Sequence, residues 1–208
     1  MQSIVLLLGS LLGQTPALPP ADVNQPVAAM LKAIERDAEP AVSLLRKLVD
    51  QNSGTYHPAG VAAVAAMMQS ELQALGFETQ LLPGDALQRG PHLTARRKGT
   101  KPGKPLLLIG HLDTVFEPAS PFQKFVRNGQ SATGPGVNDM KGGLVVMVFA
   151  LKALKEAGLL EGAPIHIFLT GDEEAPGTPV AAARRAFIAE GKLARAALCF
   201  PMCTIRGG

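Results

Sequence analysis

Leu106-Leu-Leu-Ile-Gly-His-Leu-Asp-Thr-Val115 is the stretch of this 208-residue sequence that decides its fold. The continuous apolar run at its start, 106–109, is typical of a strand buried on both faces, as in a parallel or mixed sheet covered by helices. His111 and Asp113 follow that run, and an extended backbone would place both side chains on one face. The stretch therefore predicts a central strand with two polar side chains at its carboxyl end.

The segments on either side of this strand predict an α/β domain. Helices are predicted over 26–51, Gly60–Gly76, Gly142–Gly158 and Thr178–Gly191, and further strands over Phe77–Leu82, Leu93–Lys98, Ile165–Leu169 and Ala196–Phe200. Because proline disfavours helix for the residue before it, the Glu39-Pro40 step is expected to divide the first helical segment. This order predicts a mixed, largely parallel sheet flanked by helices on both faces.

Two acidic clusters follow the opening stretch. Gly134-Pro-Gly-Val-Asn-Asp-Met-Lys-Gly-Gly143 places Asp139 at the start of a predicted helix, where its glycines let the backbone pass close to a ligand. Thr170-Gly-Asp-Glu-Glu174 ends in three acids, which repel one another unless a cation or solvent relieves them. Open α/β sheets place their sites at the carboxyl ends of strands. Both clusters are therefore expected to meet the histidine and aspartate of the opening stretch.

One imidazole and several carboxylates form the ligand set of a metal ion that prefers nitrogen and oxygen. Neighbouring side chains in an extended segment point apart, so one of Glu173 and Glu174 can bind metal while the other faces an attacking water. Asp113 either holds the second nitrogen of the histidine or orients the catalytic carboxylate. Taken singly, His111 is also typical of a strand end, Asp139 of a helix cap, and the glutamates of a solvated loop. Their coincidence favours metal-assisted hydrolysis.

Three motifs occur in the same order in a known family. Gly110–Val115, Gly134–Gly143 and Gly171–Glu174 resemble the motifs of the zinc-dependent exopeptidase family that includes glutamate carboxypeptidase, acetylornithine deacetylase, succinyl-diaminopimelate desuccinylase and aminoacylase. The resemblance is strongest to the glutamate carboxypeptidase branch. It implies the catalytic-domain fold of that family and hydrolysis of an amide bond adjacent to a free carboxylate, in a peptide or an N-acyl amino acid.

The resemblance also implies a role for each candidate residue. His111 would bind one zinc ion, Asp139 would bridge two, and Glu174 would bind the other. Asp113 would be the supporting acid, and Glu173 the general base that deprotonates the attacking water. The implied cofactor is Zn²⁺, with two ions in a complete enzyme and Co²⁺ or Mn²⁺ as possible substitutes.

The sequence departs from the family's pattern near its end. Members carry a further acidic ligand after the strand that matches Ala196–Phe200, whereas here Pro201 follows directly. Members then continue with a lid and dimerisation domain and a last metal-binding histidine. Residues 21–208 are therefore expected to be the N-terminal part of the catalytic metallohydrolase domain, truncated before the lid. The alternative is a non-catalytic metal- or ligand-binding remnant of that fold, and a homodimer is expected only if the missing domain were present.

The composition and the N-terminal residues limit which partners and which cellular location are expected. Aromatic residues are 4% of the chain, tryptophan is absent and the net charge is +3 with scattered basic residues, so nucleic acid is not an expected partner. The apolar run 4–12 is too short to span a bilayer, and Pro16-Ala-Leu-Pro-Pro20 follows it. Residues 1–20 therefore resemble a signal peptide with a Pro-rich joint, which predicts a secreted or periplasmic protein without stable membrane insertion. Without cleavage the expected location is cytoplasmic.

Overall fold

The computed structural model describes residues 25–162 and 164–200 of the chain. The predicted signal peptide and the residues after Phe200 lie outside this part. The helices are α1 (Gln25–Arg36), α2 (Ala38–Asp50), α3 (Pro58–Ala74), α4 (Gly142–Glu156), α5 (Val180–Ala183) and α6 (Arg185–Leu193). The strands are β1 (Glu78–Leu82), β2 (His92–Arg97), β3 (Leu106–His111), β4 (Val126–Asn128), β5 (Ser131–Thr133), β6 (Ile165–Thr170) and β7 (Ala196–Cys199).

Five strands form one sheet in the order β1-β2-β6-β3-β7. The pairs β1–β2 and β2–β6 are antiparallel, whereas β3 runs parallel to both β6 and β7. The predicted mixed sheet is confirmed, and its parallel half carries the opening stretch. The hairpin of β4 and β5 was not predicted, because its three-residue strands are too short to show a period.

Helices cover both faces of this sheet. Side chains alternate across a strand, so Ile167 and Leu169 point into the main core with α2, α3 and α4. Phe168 points the other way, and its ring lies 5.3 Å from that of Phe187 in α6. The main core also holds buried residues from three helices: Leu45, Leu48, Val64, Met68, Leu72, Leu144 and Val148. The burial of these apolar side chains is the main force that fixes the strand ends in place.

Two predicted helix boundaries were wrong. The first helical segment divides at Asp37 rather than at the Glu39-Pro40 step, and Pro40 lies in the first turn of α2. Proline is tolerated there because its missing N–H would have no partner inside the helix. The segment predicted as one helix from Thr178 to Gly191 is two helices, α5 and α6, which meet at Arg184.

The ends of β3 and β6 create the edge that carries the candidate site. His111 pairs with Thr170 in the register of these parallel strands, so the polar segments that follow both strands leave the sheet side by side. Asp139 reaches this edge differently from the prediction. It follows the β4–β5 hairpin rather than a strand of the main sheet, and it comes just before α4. The described residues contain no helix with the length and apolar composition of a membrane span.

Candidate metal centre

His111 is held by three polar contacts at the end of β3. Its backbone N–H donates to the Met140 Sδ atom at 3.0 Å, and its ring Nδ1 lies 3.1 Å from the backbone oxygen of Asp113. Its Nε2 lies 2.9 Å from Oδ1 of Asp139. Since both neighbours of the ring are oxygen acceptors, the metal-free ring carries a proton on each nitrogen. The contacts fix the ring so that Nε2 faces Asp139.

The charges around His111 stabilise its protonated form. Burial by itself would lower the pKa of this imidazole, but the hydrogen bonds and charges of Asp113 and Asp139 outweigh burial and raise it to about 10. Two carboxylates next to a buried imidazolium form the electrostatic surroundings that favour any cation. A metal ion would replace the proton on Nε2.

Asp139 is positioned by a tight turn ahead of α4. Gly136 has a φ of 75°, a left-handed conformation that favours glycine, and Asp139 itself is extended with φ −122° and ψ 99°. The helix-cap interpretation of Asp139 is wrong, because the N-cap of α4 is Lys141 and no side chain caps it. The side chain of Asp139 is instead half-buried against His111.

Lys141 holds this turn through a hydrogen bond to Gln51, a contact that no sequence pattern indicated. Its side chain is almost fully buried, and Nζ donates to the backbone oxygen of Gln51 at 2.9 Å. Burial, opposed only by the charge of Asp50, lowers the pKa of Lys141 to about 7. The contact joins the turn that carries Asp139 to the C-terminal end of α2.

The acidic segment after β6 divides its side chains between two environments. Glu174 is half-buried, and one ligand atom from each of His111, Asp139 and Glu174 lies within 4.8 Å of the other two. Burial and repulsion from Asp139 raise the pKa of Glu174 to about 7. Glu173 is exposed and faces the neighbouring pocket. The three predicted metal ligands are thus brought together, with the predicted base beside them.

Asp113 combines the two roles that its sequence position left open. Its carbonyl holds the ring of His111, while its carboxylate accepts the backbone N–H groups of Glu173 at 3.0 Å and Glu174 at 3.1 Å. The hydroxyl of Thr55 donates to the same carboxylate at 2.7 Å. Burial would raise the pKa of Asp113, but these donors and His111 together lower it. Asp113 therefore remains ionised and ties the histidine to the acidic segment.

Thr55 is a site residue that the sequence analysis missed. It comes from the loop between α2 and α3, 58 residues before Asp113 in the sequence. A short parallel bridge between Gly54 and Thr114 brings that loop to the end of β3. Neither contact follows from a local pattern, because both depend on how α2 and α3 pack against the sheet.

A pocket of about 400 Å³ opens beside the donors. Its lining includes His111, Asp139, Thr170, Glu173, Arg184 and Phe187. The hydroxyl oxygen of Thr170 is buried there, and no other residue between 25 and 200 that the structure describes forms a hydrogen bond with it. Such an atom normally bonds to water or to a ligand. The pocket gives a small molecule access to Glu173 and to the ligand cluster.

The donor set fits a zinc ion. Zinc binds imidazole nitrogen and carboxylate oxygen at about 2.0–2.2 Å, which places the ligands of a tetrahedral ion roughly 3.4 Å apart. The Nε2 atom of His111 and Oδ1 of Asp139 are 2.9 Å apart, and the ligand atoms of His111, Asp139 and Glu174 all lie within 4.8 Å of one another. Three protein ligands with one open position is also the usual arrangement of a catalytic zinc. The carboxylates of Glu174 and Asp139 repel each other, and a bound cation would relieve that repulsion.

Comparisons with known proteins match part of this chain to one family and to several curated sequences. Residues 107–203 match peptidase family M20/M25/M40. Carboxypeptidase G2 of Pseudomonas sp. (strain RS-16) is 37% identical over 143 residues, which are 66% of this chain and 34% of that protein. Succinyl-diaminopimelate desuccinylase of Leptothrix cholodnii is 36% identical over 145 residues, which are 66% of this chain and 37% of that protein. The chain thus spans about a third of the length of these relatives.

A solved structure supports the same fold. Human carnosine dipeptidase 1 superposes with a TM-score of 0.68 over 83% of this chain and 40% of that one. The two sequences are 18% identical, so this likeness shows the fold alone. It confirms the expected architecture of a mixed sheet flanked by helices.

Proposed function

We propose, because residues 107–203 match peptidase family M20/M25/M40, that this chain takes part in metal-dependent hydrolysis of an amide bond adjacent to a free carboxylate. The substrate would be a peptide or an N-acyl amino acid. Two of its relatives are named as a carboxypeptidase and as a desuccinylase, which supports a hydrolytic reaction of this kind. This chain matches only about a third of the length of these relatives. That it is active by itself is therefore also part of the proposal.

One observation carries the proposal. The ligand atoms of His111, Asp139 and Glu174 lie within 4.8 Å of one another, and Glu173 lines the pocket beside them. These residues come from three separate parts of the sequence. Surface carboxylates that have no shared function have no reason to converge on a buried histidine, since their mutual repulsion opposes it.

His111, Asp139 and Glu174 would hold the ion, which we expect to be zinc. A bound zinc ion would polarise the amide carbonyl and acidify a water molecule. Glu173 would accept the proton of the attacking water and pass it to the leaving nitrogen. Asp113 would keep the acidic segment and the histidine in register through its hydrogen bonds. The donors of the described residues are sufficient for one ion, and a second would need ligands beyond them.

The test is hydrolysis of N-acyl amino acids and dipeptides in the presence of Zn²⁺. We expect turnover to fall by about 100-fold or more in Glu173→Gln, because the amide cannot accept the proton. Glu78→Gln is the matched control, since Glu78 is exposed at the start of β1, and it should leave turnover unchanged.

Two results would each contradict a different part of the proposal. Zinc-dependent turnover that persists in Glu173→Gln would remove the general base from the proposal. Zinc binding without turnover of any substrate would favour the alternative function, a metal-binding domain that does not catalyse the reaction by itself.

A further inference from the structure

Asp172 is the acid of the Asp-Glu-Glu segment that does not face the metal cluster. It is fully buried, and its Oδ2 accepts the N–H of Gly177 at 2.8 Å. Arg184 binds the same residue twice. Its Nη1 donates to Oδ1 of Asp172 at 2.5 Å, and its Nη2 donates to the backbone oxygen of Asp172 at 2.9 Å. The guanidinium therefore forms hydrogen bonds with both the side chain and the main chain of Asp172.

The segment that carries the glutamates has no regular secondary structure, so side chains determine its path. The N–H of Gly171 donates to Nδ1 of His92 at 3.0 Å. The N–H groups of Glu173 and Glu174 donate to Asp113. His92 and Asp113 accept these bonds from outside the segment. Asp172 belongs to the segment itself, and Arg184 binds it. The buried ion pair is thus one of three sets of contacts that hold the segment.

We propose that Arg184 and Asp172 are positioning residues that set the acidic segment so that Glu174 reaches the ligand cluster and Glu173 faces the pocket. This inference rests on the proposed function for its chemical purpose. Arg184 stands at the junction of α5 and α6, and its side chain also lines the metal pocket. Since both terminal nitrogens are bound to residue 172, we assign Arg184 to the loop rather than to a substrate carboxylate.

Charge explains why the pair is coupled. Removing Arg184 takes the guanidinium away from the buried Asp172 carboxylate, which is followed by two glutamates, whereas replacing both partners removes both charges of the pair. A double variant should therefore regain stability that the single variant loses. It should not regain the hydrogen bond to the backbone oxygen of residue 172, because Arg184 donates that bond.

The experiment measures amide hydrogen exchange at Glu173 and Glu174 by NMR in the metal-free protein, relative to amides of β3. We expect Arg184→Met to accelerate exchange at both positions by about tenfold or more, the factor that loss of a charged hydrogen bond represents. Arg185→Met is the matched control, because Arg185 is next in the sequence but lines a separate cavity of about 300 Å³. It should leave both amides protected.

The double variant Asp172→Asn/Arg184→Met separates positioning from stability. We expect its Tm to recover relative to Arg184→Met, while exchange at Glu173 and Glu174 stays fast and zinc affinity stays about tenfold or more below wild type. Arg184→Lys keeps the charge without the two-pronged contact, and it replaces Arg184→Met if that variant does not fold. With saturating Co²⁺, Arg184→Lys should also change the visible absorption spectrum, which a loss of stability alone would not do.

Unchanged protection in Arg184→Met or Arg184→Lys would overturn the inference. So would a double variant in which protection and zinc affinity recover together with Tm, since the pair would then act through stability alone. A wild-type chain that binds no zinc, while Arg184→Met still loses protection, would refute the proposed function and leave the positioning of the segment supported.

Discussion

His111 shows how the candidate site is prepared at the scale of single residues. Its Nδ1 is fixed by the carbonyl of Asp113, which leaves Nε2 directed at Asp139. Fixing one nitrogen of a histidine by a backbone oxygen is the usual way in which the tautomer of a metal ligand is selected. In the metal-free state the proton on Nε2 occupies the position that a cation would take.

The pKa values of this cluster predict that zinc binding releases protons. The pKa of His111 is raised to about 10 and that of Glu174 to about 7. At pH 7 the imidazole is therefore charged and the carboxyl is partly protonated, and zinc must displace both protons. Because the raised pKa of His111 favours the protonated state below about pH 10, zinc affinity should increase as the pH rises.

Calorimetric titration in two buffers with different heats of ionisation measures this release. At pH 7 we expect one to two protons per zinc ion, and about tenfold tighter binding for each pH unit gained between 7 and 9. Affinity that is independent of pH over this range would contradict the assignment of His111 as a ligand.

Much of this residue-level arrangement could be predicted, and the remainder depends on packing. The spacing of His111 and Asp113 after an apolar run placed both at a strand end. The bonds from Asp113 to the backbone of Glu173 and Glu174 could not be predicted, because they join segments 60 and 61 residues apart. The roles of the five candidate residues remain predictions until the variants are measured.

At the scale of elements, the turn before α4 determines where Asp139 lies. A Cβ atom on Gly136 would approach Thr114 Cγ2 to 2.7 Å and the backbone oxygen of Asp139 to 3.1 Å. Gly136 also has a φ of 75°. Both features require glycine at this position, and both affect the turn that carries Asp139, a proposed metal ligand.

Replacement of this glycine should therefore affect both stability and metal binding. We expect Gly136→Ala to lower the free energy of unfolding by about 1–3 kcal/mol for the left-handed backbone, and more for the crowding. Zinc affinity should fall by about tenfold as the turn shifts. Gly158 has a similar φ of 70° with open space around it, so Gly158→Ala should show the backbone effect alone. Equal zinc affinities in the two variants, measured by chelator competition, would contradict this account of the turn.

Elements with strong patterns were predicted well. The apolar runs before His111 and Gly171 became β3 and β6, and Gly76 follows α3 with a φ of 83°. The break at Arg184 was missed because the sequence from Thr178 to Gly191 keeps a helical pattern through it. Arg184, at the break, makes two hydrogen bonds to Asp172 that no local pattern reveals.

At the scale of the whole molecule, the mixed sheet brings together side chains that are far apart in the sequence. His111 leaves β3, Glu174 follows β6 and Asp139 precedes α4, and each element is fixed by the main core. An ion bound by all three would cross-link these segments in the folded state only. Binding to the folded state alone stabilises a protein by mass action.

These three side chains are proposed to form a metal site, and a zinc titration of the purified chain tests that claim. We expect one Zn²⁺ ion per wild-type chain. We expect no binding at that site in His111→Ala when circular dichroism shows that the variant is folded. His166→Ala is the matched control, since His166 pairs with Glu190 instead, and it should bind zinc as the wild type does. A wild-type chain that binds no zinc, or a His111→Ala variant that binds it equally well, would contradict the claim.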